Sequence, residues 1–65
     1  MQPYQERVVT EKNELDEKLS KLKAFTRTDA FAKIDSDEAA LLMIQLGAMQ
    51  LYSNTLGDRI AAFTG

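Results

Sequence analysis

Neither cysteine nor histidine occurs anywhere in these 65 residues. The first absence removes disulfides and thiolate zinc sites, the usual staples of so short a chain, and leaves no clue to redox compartment. The two absences together remove the imidazole general base, the thiol nucleophile and every ordinary metal-ligand set except carboxylates. The expectation is a protein that binds something and is not an enzyme, with no catalytic residues, no metal and no cofactor. There is one proline, Pro3, and no proline, glycine or serine tract that would act as a linker, so the chain reads as one domain spanning residues 1–65. No run of about 18 apolar residues is present, and Met1-Gln2-Pro3-Tyr4 lacks the basic-then-apolar start of a secretory signal. A soluble, cytoplasmic protein without membrane association follows as the expectation. The net charge of −2 and the lack of a basic stripe argue against DNA or RNA as a partner.

What is present is helical periodicity. Pro3 suits the first turn of a helix, where its missing N–H has no intrahelical partner. Tyr4, Val8, Leu15, Leu19 and Leu22, with Phe25 close by, recur at three- and four-residue spacings and form an apolar stripe interrupted at Glu11 and Lys12. Glu14 with Lys18, and Glu17 with Lys21, are acid-before-base pairs that favour a solvated outer face. A first long helix is therefore expected from about Pro3 to about Phe25. Thr28 can cap a short turn through Asp29, Ala30, Phe31 and Ala32, with Phe31 and Ile34 tucked beneath it. Asp35 followed by Glu38 reads as a capping-box-like start, with Ile34 as a hydrophobic staple against Ala39. From Ser36 to about Phe63 only Gly47 and Gly57 weaken a second long helix. The fold class is all-α: an antiparallel two-helix hairpin with a short helical turn in the connection.

The second long helix carries more apolar surface than one neighbour can cover. Leu42, Leu46, Met49, Leu56, Ile60 and Phe63, with Tyr52 at the edge, form the stripe expected to face the first helix. Leu41, Ile44, Ala48 and Leu51, leading to Thr55 and Ala62, form another about 100° around the axis. Between Ala39 and Gly57 there is no charged residue at all. Two coverings are open: the Phe31 and Ile34 segment folding back in a monomer, or a further helix. The further helix comes from a second copy, giving a homo-oligomeric helical bundle, or from another protein docked in the groove.

In an antiparallel hairpin the start of the first helix lies beside the end of the second. Tyr4, Arg7, Glu11 and Lys12 are thereby expected near Tyr52, Asn54, Thr55, Asp58 and Arg59. Tyrosine stacking and guanidinium contacts to phosphate are what a small nucleotide requires. The plainer readings are tyrosines with their rings in the core and hydroxyls at the rim, and Arg59 ion-paired near Asp58, Glu6 or Glu11. Met43 and Met49 read as packing, and the Lys18, Lys21, Lys23 and Arg27 cluster, interleaved with acids, as a solvated face.

The run Tyr4-Gln5-Glu6-Arg7-Val8-Val9, then Glu11-Lys12, Glu14 to Leu19, Lys21-Leu22 and Ala24-Phe25, resembles a family of very small proteins of crAss-like bacteriophages. Leu41-Leu42, Gln45-Leu46, Met49, Tyr52, Leu56-Gly57 and Arg59-Ile60 fit the closing pattern of that family. The family is similar to the helical-hairpin domain of phage anti-defence sponges, which sequester cyclic nucleotide signals of the CBASS and Thoeris immune systems. The resemblance implies an oligomer of hairpins, a hexamer among the arrangements, holding an intact cyclic nucleotide between protomers in the cytoplasm of an infected bacterial host. It implies that Tyr4 stacks and that Arg7, Lys12 and Arg59 contact phosphates, with Lys18 as a further candidate; Tyr52 is a ligand candidate by its ring and its expected place at the open end. Leu41, Ile44, Ala48, Leu51 and Thr55 would form the oligomer interface. The competing reading is a small protein–protein inhibitor or assembly adaptor that docks through the same apolar face.

Overall fold

A computed structural model of the chain describes residues 1–63. They form three helices in order: α1 (Pro3–Phe25), α2 (Asp29–Ala32) and α3 (Ser36–Ala62). Each boundary has a local chemical cause. Pro3 occupies the first turn of α1, where the Gln5 side-chain carbonyl also accepts from the backbone N–H of Gln2 at 2.8 Å. Thr28 Oγ1 accepts from the Phe31 N–H at 3.3 Å and donates to the Phe25 carbonyl at 2.7 Å, so one hydroxyl both starts α2 and ties off the end of α1. The Asp35 carboxylate accepts from the backbone N–H groups of Asp37 and Glu38 at 3.0 and 3.4 Å. These are the orphan donors of the first turn of α3, and the negative charge also suits the positive end of the helix.

α1 and α3 run antiparallel, and the tertiary contacts of the fold lie chiefly between them. Val8 and Leu19 of α1 and Leu56 of α3 are the buried apolar side chains among the described residues, flanked by half-buried Leu15, Leu22, Leu42, Leu46, Met49 and Ile60. The two stripes expected to meet do meet. Ring contacts close both ends of the seam: Tyr4 meets Phe63 edge-on at 5.9 Å, and Phe25 meets Phe31 edge-on at 5.9 Å. Phe31 and Ile34 are half-buried at the connection.

The other stripe of α3 stays open. Leu41, Ile44 and Leu51 retain 60%, 68% and 68% of their surface, and Met43 and Tyr52 are also exposed. The α2 segment therefore does not fold back over this face, which removes the monomeric covering. The shape reflects the same fact: the Cα radius of gyration is 14.8 Å, against about 11 Å for a compact domain of this length. No helix among the described residues is long and apolar enough to cross a membrane.

Gly47 lies within α3 with no side chain or other helix within 4 Å of where a Cβ would sit, and its φ is negative. The Gly47→Ala variant should be stabilised by about 1 kcal/mol through helix propensity alone. Thermal unfolding should show this as a Tm rise of about 4–8 °C, whereas an unchanged or lower Tm would mean that a neighbouring chain closely approaches this backbone.

Candidate functional site

The polar chemistry of the hairpin divides into a closed cluster in the seam and an open set at the end where α1 begins and α3 finishes. The closed cluster centres on Lys12. Its ammonium donates to Asp16 Oδ2 at 2.8 Å and to Ser53 Oγ at 2.9 Å, and Ser53 Oγ in turn donates to Asp16 Oδ1. Ser53 is buried, Lys12 and Asp16 half-buried. The stem of Lys12 crosses α3 at Gly57, where a Cβ would stand 3.4 Å from the lysine Cε. The long aliphatic side chain thus lies along the seam while its head is held by two partners, one on each helix. The hydrogen bond from Lys12 first, and that from Ser53 second, hold the Asp16 carboxyl below its ordinary value of 3.8, against the opposing effect of desolvation.

This places Lys12 differently from the phosphate contact implied by resemblance: its ammonium is engaged within the hairpin, as the clamp that locks the antiparallel register. Asp16 and Ser53, its partners, carried only weak signals in the sequence. Asp16 follows Lys12 by four residues, but base-before-acid is the less favourable order on a helix. Ser53 falls between Met49 and Leu56 at core spacing, which is the signal that marks it as buried.

The open set consists of Tyr4, Arg7 and Arg59; Tyr52, also expected there, is exposed but stands about 16 Å along α3 from Phe63, the residue that meets Tyr4, and lies beside Ser53 of the closed cluster. Tyr4 and Tyr52 are 51% and 45% exposed, and both arginines are exposed. Tyr4 is held by its edge contact with Phe63 and has surface left over for another ring. The ion pair of Arg59 with Asp58, Glu6 or Glu11 does not form; among the described residues the ion pairs are Lys12–Asp16 and the exposed Lys21–Glu17 pair at 3.4 Å. Arg59 is exposed at the flank of the α1-facing stripe rather than semi-buried in it. Lys18 is exposed on α1 but stands about 21 Å along the helix from Tyr4, too far to share a small ligand with it.

Arg7 borders an open recess of about 420 Å³ on α1, lined also by Pro3, Glu6, Thr10, Glu11 and Glu14. Three carboxylates around one guanidinium make this recess repulsive to an anion on its own. An anion in this recess therefore needs positive charge beyond that of Arg7. Leu41, Ile44, Ala48, Leu51 and Thr55, the expected interface positions, are all exposed on one side of α3, with Thr55 Oγ1 donating to the Leu51 carbonyl at 2.9 Å. No group of three or more metal-binding side chains occurs among the described residues.

Because the Asp16 pKa is lowered in the folded state, the clamp contributes stability that is complete above the ordinary aspartate value and is lost as pH falls below that value through the lowered native one. Urea unfolding followed from pH 7 to pH 2 should show a steeper acid loss for the natural chain than for the Asp16→Asn variant, which should be less stable at pH 7. Superimposable acid limbs would mean that the clamp carries no linkage.

Comparison with known proteins finds no match among curated proteins and none among solved structures. A family model does match, over residues 2–62, which takes in α1, the connection, and α3 to its last residue. The chain belongs to the Sequestin family.

Proposed function

We propose that this protein is a phage-encoded anti-defence sponge that binds a cyclic nucleotide immune signal, of the cyclic oligonucleotide or cyclic ADP-ribose type, and withholds it intact. The reading rests on membership of a family named for sequestration, matched over residues 2–62. Sequestration removes signal stoichiometrically, so it demands affinity and copy number rather than turnover, and suits a chain with no cysteine or histidine. The protein acts as a homo-oligomer in the cytoplasm of the infected host, with no nucleic-acid or membrane partner. Tyr4 supplies a ring face, and Arg7 and Arg59 supply bidentate donors for phosphate. The acid-lined recess around Arg7 favours a pocket shared between protomers, because a second hairpin can supply the positive charge that one hairpin lacks there.

An opposing observation keeps the adaptor reading in play: the apolar face of α3 would fit a foreign helix as readily as a copy of itself. Titration calorimetry with a panel of cyclic di- and trinucleotides and cyclic ADP-ribose isomers separates the two. The sponge should bind one class with a Kd below about 1 μM and release it chemically unchanged on denaturation. Arg7→Ala and Arg59→Ala should each weaken binding by about tenfold or more, as expected for a lost charge-assisted contact. An oligomer that binds none of the panel would overturn the sponge in favour of a protein partner.

A further inference from the structure

The open face of α3 has a symmetry that the hairpin itself does not use. With each residue turning about 100° around the helix, Asp37, Leu41, Thr55 and Arg59 all fall within about 20° of the direction of Ala48, and Ile44 and Tyr52 within about 40°. Every one of these side chains is exposed. The order along the stripe is acid, leucine, alanine, threonine, base: Asp37 and Arg59 stand at its two ends, each eleven residues, or about 16 Å, from Ala48. The neighbouring charges Glu38 and Asp58 lie about 80° away on opposite sides of the stripe, outside its strip of contact.

From this we infer that α3 pairs with α3 of a second copy across a two-fold axis at Ala48, the helices antiparallel, so that Asp37 of each chain meets Arg59 of the other. This rests on the homo-oligomeric part of the proposed function and supplies its geometry. Three features support it. Charge is one: antiparallel pairing about Ala48 brings opposite charges together at both ends, whereas a parallel pair would set Asp37 on Asp37 and Arg59 on Arg59, with like helix ends side by side. Size is another, since Ala48 at the crossing lets the axes approach closely while Leu41 packs over the methyl of Thr55 and Ile44 over Tyr52 of the partner subunit. Area is the third. The hairpin exposes 4812 Å², about 600 Å² more than a compact monomer of its mass. That excess is close to the roughly 800 Å² that each partner contributes to a stable interface.

The pairing bears on the ligand end. Arg59 carries donors on two edges of its fork, so an ion pair to Asp37 of the partner subunit on one edge orients the guanidinium and leaves the other free for phosphate. Arg59 is then positioned by the second copy.

The chain has no cysteine, so introduced thiols report pairing directly. At an interaxial distance of about 8 Å, residues on the axis have Cα atoms about 3–5 Å apart, near the disulfide range. Ala48→Cys should therefore crosslink to itself on oxidation. Asp37→Cys mixed with Arg59→Cys should give the mixed dimer, while either alone stays uncrosslinked, because two copies of position 37 would be about 33 Å apart. In an independent arm, Asp37→Arg and Arg59→Asp should each weaken association by about tenfold or more, and the double exchange should restore it. Circular dichroism of each variant confirms that the helices remain. Self-crosslinking of Asp37→Cys, or an oligomer by light scattering in which Ala48→Cys does not crosslink, overturns the antiparallel pairing while leaving an oligomeric sponge standing. A monomer at all concentrations overturns both.

Discussion

A helix apolar on two sides cannot be satisfied by a single neighbour, and everything distinctive about this protein follows from that constraint on α3. α1 covers one side. Its own outer surface is mostly charged and polar, and α2 is one turn long and remains at the connection. The result is a hairpin whose buried apolar side chains, among the described residues, are Val8, Leu19 and Leu56, each worth about 1.5–3 kcal/mol. That is a thin core for a chain of 65 residues without a disulfide or metal. The assembly we propose resolves the deficit and positions Arg59 by the same contact.

Within the hairpin, register is fixed by chemistry at three levels along the seam. Tyr4 meets Phe63 at one end, Phe25 meets Phe31 at the other, and between them Lys12 is held to Asp16 and Ser53. Apolar stripes alone tolerate sliding by a turn; a half-buried ammonium that needs both an acid on its own helix and a hydroxyl on the facing one does not. Gly57 borders this arrangement, and a Cβ there would stand in ordinary contact with the lysine Cε at 3.4 Å. A cation in the middle of an apolar stripe, a flaw by pattern alone, is thereby the point that specifies which residues face each other.

Much of the fold was legible because its signals are local. Pro3 marks the start of α1 and Thr28 the start of α2, while Asp35 opens α3, and each is read from a side chain acting on backbone within three residues. The two stripes of α3 were legible from period alone, and the exposure of Leu41, Ile44 and Leu51 agrees with them. The seam chemistry was less so: Lys12 resembled a ligand contact because its partner Ser53 lies 41 residues away. The exposed position of Arg59, unpaired among the described residues, turns on how the flank of α3 packs beside α1, which the spacing of Arg59 from Asp58, Glu6 and Glu11 does not decide. Lys18 matched the family pattern, yet the straight rise of α1 carries it away from Tyr4. A pocket shared between chains has no signature in one chain's spacing; what the sequence does hold is the symmetric placement of Asp37 and Arg59 about Ala48.

The most direct test of this account is thermal unfolding followed by circular dichroism at protein concentrations spanning about three decades, without ligand. If the open face of α3 is covered by another copy, folding is linked to association, and Tm must climb with concentration by mass action. A Tm that stays constant across the series would mean that the hairpin is stable alone with that face in water, and the account would be wrong at its base.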